Sequence, residues 1–150
     1  MEVCCAGLRG ASFDEADQWF RSKGAEAVLL EPSMVCGKDH CRSAVMHAER
    51  AFAEGRNRSR TILTEAVMYA AGERQIGKAL AKMRPRGKEI CAVILGHSDF
   101  DLSGMPAERD DSLFDPSEEK ARNVGAELFR GVSPEDCVLE MVASVDLMKQ

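Results

Sequence analysis

The order of the apolar segments restricts the fold of this chain more than any other feature. Three segments are short and continuously apolar, at residues 3–8, 27–30 and 90–95, and are predicted strands. The segments with helical spacing of apolar side chains complete the order β-α-β-α-α-α-β-α-α. Three strands are too few for a doubly wound sheet of usual size. We therefore expect an α+β fold, with a small sheet of about three strands, antiparallel or mixed, covered by five or six helices.

Length and hydropathy predict a single domain over residues 1–150. No apolar run approaches the roughly 20 residues of a membrane-spanning helix. The first residues are acidic and apolar and lack the basic region of a signal peptide. We therefore expect the chain in the cytoplasm.

Local signals predict where several helices begin. Ser12 and Glu15 have the spacing of a capping box. Pro116 is predicted at the first helical position of the fifth helix. The last helix is predicted to open at Ser133 and to carry an apolar stripe that reaches Met148. Residues 96–114 have no sustained period and are predicted to form an irregular, mobile loop.

The charge of the chain is distributed very unevenly. Residues 55–88 contain nine Lys or Arg and two Glu, a local charge of +7 in a chain whose net charge is −5. A basic face on an otherwise acidic protein is typical of a surface that meets polyanions. The alternative is a solvated helical face with no partner.

The basic segment has an internal order that favours the first interpretation. Arg56, Arg58 and Arg60 alternate through a turn that leads into a helix beginning near Thr61. Guanidinium groups suit phosphates, and the free amides at a helix N-terminus favour anions as well. Arg74 opens the next helix and is expected to converge on the same region if the two helices pack as a hairpin.

Three apolar residues of this segment allow two interpretations. Leu63, Tyr69 and Ile76 could offer a face to an unstacked base, the usual way of holding a single-stranded RNA end. Their helical spacing instead favours a place in the core.

A different class of function depends on the thiols. Cys36, His40 and Cys41 lie within six residues and could form the centre of a small thiol or zinc enzyme, although no second Cys/His cluster completes four ligands. The six cysteines otherwise fit buried, reduced thiols. The sequence has no nucleophile elbow, Walker-type loop or dinucleotide-binding glycine motif. We therefore expect no catalytic site.

Three stretches together resemble one known family. They run from His40 to Phe52, from Gly55 to Glu65 and from Gly72 to Leu80, and the likeness extends over residues 28–95. The chain resembles the TPRKB-like family, the small kinase-binding regulatory subunit of the KEOPS (EKC) tRNA-modification complex. The shared pattern is a His-led helix, a basic turn, Leu-Ser/Thr-Glu and a helix that starts with Gln-Ile.

The resemblance implies a non-catalytic subunit with two partners. Family members bind and stimulate the atypical kinase/ATPase of the complex that makes threonylcarbamoyl-adenosine on tRNA, and archaeal members hold the single-stranded 3′ CCA end of tRNA. No metal, cofactor, membrane or small-molecule substrate is implied. The implied tRNA-binding residues are Arg56, Asn57, Arg58, Arg60, Gln75 and Ile76. The implied kinase-binding residues are Val145, Leu147 and Met148, of which Leu147 lies off the apolar stripe of its helix.

Overall fold

The computed structural model describes residues 1–148 and contains one open antiparallel sheet. The strands are β1 (Val3–Arg9), β2 (Ala27–Leu30), β3 (Glu89–Leu95) and β4 (Glu108–Arg109), in the spatial order β2-β3-β1-β4. β3 pairs with both β1 and β2, so that Val3 lies opposite Leu95 and Leu30 opposite Cys91. The predicted α+β class and the three predicted strands are confirmed. The fourth strand, β4, was not predicted.

Six α-helices surround the sheet within residues 1–148. They are α1 (Phe13–Ser22), α2 (Lys38–Ala53), α3 (Ile62–Ala71), α4 (Ile76–Met83), α5 (Glu118–Val124) and α6 (Pro134–Ser144). Short 3₁₀ turns lie at Pro32–Met34, Asp111–Phe114 and Val145–Leu147. The predicted capping box opens α1, where Ser12 accepts from the Glu15 amide and Glu15 accepts in return from the Ser12 amide. None of these helices is long and apolar enough to cross a membrane.

The strand sequences are continuously apolar because a hydrophobic core covers each face of the sheet. Ile90, Ala92 and Ile94 of β3 pack with Phe20 of α1. The alternate residues of β3 point to the other face, where the larger core is built with side chains from α2 to α6. Side chains alternate along a strand, so a strand buried on both faces loses the apolar–polar alternation of a half-exposed one.

The segment 96–114 is more ordered than predicted. It contains β4 and a 3₁₀ turn, and Asp111 accepts from the Gly7 amide (3.1 Å) and from Lys38 (2.9 Å). The backbone at Asp110 approaches β1 so closely that a Cβ added at Gly7 would lie 1.9 Å from the Asp110 oxygen. The prediction of an irregular loop was wrong because these contacts join distant parts of the sequence.

Two helix boundaries also differ from the prediction. Ser117 caps α5, so the helix begins at Glu118 and Pro116 lies outside it. The C-terminal helix changes from α to 3₁₀ geometry at Val145, so Met148 follows the helical part instead of ending its stripe. The second difference determines which side chains of the C-terminal turn face the surface.

Candidate functional site

A single buried carboxylate shapes the basic turn between α2 and α3. Glu65, in the first turn of α3, is 2% exposed. It accepts hydrogen bonds from the backbone amides of Arg58 (3.0 Å) and Ser59 (2.8 Å) and from the Ser59 hydroxyl (2.8 Å). A buried carboxylate is stable only when donors surround it, and here the donors belong to the turn itself. Glu65 therefore holds the backbone from which the arginines project.

Three arginine side chains line one cavity beside this turn. The cavity has a volume of about 270 Å³ and opens between the basic turn, the start of α4 and the C-terminal 3₁₀ turn. Its guanidinium groups come from Arg56, Arg58 and Arg74, and Arg74 Nη1 donates to the Val145 carbonyl oxygen at 2.8 Å. The expected convergence of Arg74 on the basic turn is therefore present. The remaining lining residues are Glu65, Met68, Tyr69, Val145 and Asp146.

Asp146 lies at the edge of this cavity and connects it to α2 and α3. Its carboxylate accepts from Arg56 Nη1 at 2.9 Å and from the Tyr69 hydroxyl, and its second oxygen lies 3.5 Å from His47 Nδ1. Burial alone would raise the pKa of Asp146, but the hydrogen bonds from Tyr69 and Arg56 outweigh it and hold that pKa below its usual value. Burial, and then the bond to Asp146, raise the pKa of Tyr69 to about 12. The carboxylate is thus charged and the phenol neutral at pH 7.

Arg56 is already engaged by two acids of the same chain. Its Nε lies 2.6 Å from Glu54 and its Nη1 2.9 Å from Asp146. The hydrogen bond with Glu54, followed by that with Asp146, raises the pKa of Arg56. A phosphate that binds Arg56 must therefore share this guanidinium with these carboxylates or displace one of them.

The other predicted tRNA-binding residues lie around the cavity or away from it. Arg60 is exposed and lines a separate surface groove with Phe52, Thr61 and Ile62, so it does not join Arg56 and Arg58. Asn57 is exposed in the turn, and its side-chain amide donates to the Ser59 carbonyl at 2.9 Å.

The apolar residues of the basic segment separate into core and surface. Tyr69 is buried at 3% exposure, and Leu63 packs partly against the core. Gln75 is exposed at the N-cap of α4, and Ile76 and Leu80 form an exposed apolar pair one turn apart on that helix. Helical spacing favoured a place in the core, and Tyr69 does lie there. Ile76 instead lies on the surface, where a ligand can contact it.

A second surface lies along α6. A groove of about 510 Å³ is lined by apolar side chains, with two exposed acidic side chains, Asp136 and Glu140, at its rim. The apolar lining is formed by Val132, Leu139, Ala143 and Leu147. Of the predicted kinase-binding residues, Leu147 is 84% exposed and Met148 is 42% exposed. Val145 differs from the prediction, because its side chain is buried in the core and its carbonyl binds Arg74.

The cluster of Cys36, His40 and Cys41 does not have the geometry of a catalytic or metal centre. His40 is fully buried; its Nδ1 accepts from the Cys36 amide (3.1 Å) and its Nε2 lies 2.8 Å from the Ala70 carbonyl oxygen. Both ring nitrogens are therefore occupied by the backbone. Burial raises the thiol pKa of Cys36 and, to a greater degree, of Cys41, which opposes the reactive thiolate form. No set of three His, Cys, Asp or Glu side chains within residues 1–148 is arranged to hold a metal ion.

Two acidic residues of the cavity, Glu65 and Asp146, and His47 beside them were not identified from the sequence. Glu65 stands in the Leu-Thr-Glu pattern, and its place four residues into a helix that follows a basic turn was a signal for a carboxylate that binds the turn. Asp146 gave no local signal, because it stands between Val145 and Leu147, far in sequence from its partners. His47 lies on the apolar face of α2 and stacks on Tyr69, with ring centroids 5.4 Å apart.

Comparison with known proteins places most of these elements in one family. Residues 14–113 match the family model described as kinase binding protein CGI-121. The match covers about two thirds of the chain, including the basic turn, α2, α3 and α4, and it ends before α5. A search of curated proteins found no match.

Proposed function

Because the chain belongs to the CGI-121 family of kinase-binding proteins, which is the TPRKB family, we propose that it is a non-catalytic subunit of the KEOPS complex. In this proposal it forms a single domain over residues 1–150 and acts in the cytoplasm. It binds the atypical kinase/ATPase subunit and the 3′ CCA end of tRNA, and so supports threonylcarbamoyl-adenosine formation. The main support for RNA binding is that Arg56, Arg58 and Arg74 line one cavity.

The cavity has the properties expected of a phosphate site on an RNA-binding surface. Three guanidinium groups face a volume that can hold a phosphate, and the turn that supports two of them is fixed by Glu65. Gln75 and Ile76 follow Arg74 directly and are exposed beside it, so a base attached to the bound phosphate could meet an apolar surface. Arg60 contributes charge from the neighbouring groove.

The RNA part is tested with charge reversals and a short single-stranded RNA that ends in CCA. We expect Arg58→Glu and Arg60→Glu each to weaken binding about tenfold or more and to lower the salt dependence of the affinity by about one counterion. Arg21→Glu on α1 is the matched control, because Arg21 is exposed on the opposite face of the sheet. Fluorescence anisotropy at several salt concentrations gives both quantities. Equal affinities for all three variants and the unchanged protein would show that the RNA binds elsewhere, and no detectable binding by any of the four proteins would exclude the RNA part of the proposal.

The groove along α6 is the proposed kinase-binding surface. Leu147 has the largest exposed fraction among the large apolar side chains that the structure describes, and a partner would remove it from water. The acidic rim favours a kinase surface with apolar side chains flanked by Lys or Arg. Met148 extends the same surface, whereas Val145 supports it from the core.

The kinase part is tested by co-purification. Leu147→Arg places a charge in the groove lining and is expected to abolish co-purification with the kinase, while the melting temperature stays unchanged because Leu147 is exposed. Met46→Arg is the control, since Met46 is 47% exposed on α2, outside the groove. If the kinase is retained equally by both variants, the groove is not its binding surface.

A further inference from the structure

The most informative contact outside the proposed binding roles joins the C-terminal 3₁₀ turn to the basic cavity. Asp146 enters the cavity from Val145–Leu147, and three hydrogen bonds hold the turn in place. Arg56 and the Tyr69 hydroxyl donate to Asp146, and Arg74 donates to the Val145 carbonyl. The Asp146 side chain keeps 25% of its surface exposed, so a ligand in the cavity can reach it. Asp146 is therefore both a part of the fold and a part of the cavity wall.

The carboxylate of Asp146 makes the contact that a phosphate oxygen would make. Arg56 directs Nη1 at Asp146 from the cavity wall. The other acidic side chain of the wall, Glu65, is occupied by the amides of the basic turn and faces them instead. An anion that enters the cavity must bind the Arg56 guanidinium, which is already paired with the Asp146 carboxylate. The negative charge of Asp146 therefore repels the anion.

We propose that Asp146 is an internal competitor for anions in the basic cavity. A phosphate-bearing ligand displaces the carboxylate from Arg56 when it binds, and the Val145–Leu147 turn shifts with it. Asp146 thereby lowers the affinity of the cavity for phosphates in general. The proposal rests on the proposed function in taking RNA as the natural ligand, but the competition itself applies to any phosphate.

Asp146→Asn isolates the charge from the shape of the side chain. The retained Oδ1 can still accept from Arg56 and Tyr69, because both bonds use that oxygen in the carboxylate. The new amide group replaces the oxygen that lies 3.5 Å from His47 Nδ1, which it can meet as a donor. The variant is therefore expected to fold, with the competing charge removed.

The probe is inorganic pyrophosphate, and its binding is measured by calorimetry and by the shift in melting temperature. We expect Asp146→Asn to bind pyrophosphate about fivefold more tightly than the unchanged protein. Asp14→Asn is the matched control, because it removes one exposed negative charge from α1, on the opposite face of the sheet, and should leave the affinity unchanged. Adding Arg74→Glu to the Asp146 variant should abolish the gain.

Several results would overturn the proposal. Equal binding by Asp146→Asn and the unchanged protein, or no binding by either, excludes competition. Weaker binding by the variant shows that Asp146 positions Arg56 for the anion instead of opposing it. If the variant fails to fold, the unchanged protein decides the matter, since pyrophosphate should shift the ring resonances of His47 in NMR spectra, and unshifted resonances contradict displacement of Asp146.

A second ligand separates this inference from the proposed function. The CCA-ending RNA is titrated against the same proteins. If pyrophosphate behaves as expected but the RNA binds to none of them, the RNA function fails and the competition stands. If the RNA binds and is sensitive to Arg58→Glu, while Asp146→Asn changes neither ligand, the function stands and the competition fails.

Discussion

The His40 ring is a single residue whose environment predicts a measurable pH dependence. Burial lowers the pKa of His40 to about 4, although its contact with the Ala70 carbonyl works in the opposite direction. Nδ1 accepts from the Cys36 amide, so a second proton would place two donors face to face. Because the unfolded chain binds this proton near pH 6.5, the stabilising effect of neutral His40 is complete above that pH. It is lost progressively as the pH falls from 6.5 toward 4, by about 3 kcal/mol in total.

Urea unfolding at pH 7.5, 6 and 5 measures this loss. His40→Asn should be about 2 kcal/mol less stable at pH 7.5, since it loses buried hydrogen bonds and packing, but its stability should change less between pH 7.5 and 5. His97→Asn, at an exposed histidine, is the control and should keep the pH dependence of the unchanged protein. The lowered pKa of Asp110, about 2, acts at lower pH and does not obscure this window. Parallel pH profiles for all three proteins would contradict the assignment to His40.

For single residues, the role of a side chain could be predicted from the sequence when its hydrogen-bond partner is only a few residues away. Ser12 and Glu15 cap a helix through bonds that span three residues, and this spacing is visible in the sequence. Asp146 is different, because its partners Tyr69 and Arg56 lie 77 and 90 residues away. Arginines could be recognised as a cluster, but the acid that occupies one of them could only be found in the folded chain.

At the level of elements, two glycines give opposite expectations for the same substitution. Gly72 ends α3 in the left-handed conformation (φ +67°), and a Cβ there would lie 2.8 Å from Met141 Sδ on α6. Gly77 lies inside α4, and an added Cβ would meet nothing within 4 Å. Gly72→Ala should therefore destabilise the protein by about 1–2 kcal/mol. Gly77→Ala should stabilise it by about 0.5–1 kcal/mol.

Chemical denaturation of the two variants under one condition provides the comparison. Each protein serves as the control of the other, because the change in side-chain volume is identical. An unchanged free energy of unfolding for Gly72→Ala would mean that the end of α3 and its packing on α6 tolerate a side chain. A loss of stability in Gly77→Ala would show that α4 needs glycine for a reason outside its backbone conformation.

Elements with a strong local pattern were predictable, and those defined by pairing were not. β3 has six consecutive apolar residues, 90–95, whose side chains alternate between the two cores, so it could be recognised as a strand. β4 has only two residues, both charged, and exists because Leu8 and Arg9 of β1 pair with it. The shift of α5 from Pro116 to Glu118 has a local cause, since the Ser117 hydroxyl accepts from the Lys120 amide. The helix therefore begins after the capping residue Ser117, and not at Pro116 as predicted.

On the scale of the whole molecule, the two proposed surfaces share one short turn. Asp146 of this turn faces the basic cavity, and its neighbour Leu147 lines the groove along α6. A partner that binds Leu147 in its docked position stabilises that position and keeps Asp146 on Arg56. A phosphate that displaces Asp146 has the opposite effect. Two ligands that favour different positions of one element must oppose each other, and to the same extent in both directions.

The kinase and the RNA are expected to oppose each other through this turn. We expect saturating kinase to weaken binding of the CCA-ending RNA about three- to fivefold more in the unchanged protein than in Asp146→Asn, in which the competing charge is absent. Direct contacts between the kinase and the RNA contribute equally to both proteins. The ratio of the two effects therefore isolates the contribution of the turn, as in a double-mutant cycle. Equal effects of the kinase on both proteins would mean that the groove and the cavity act independently, even if each surface binds the ligand proposed for it.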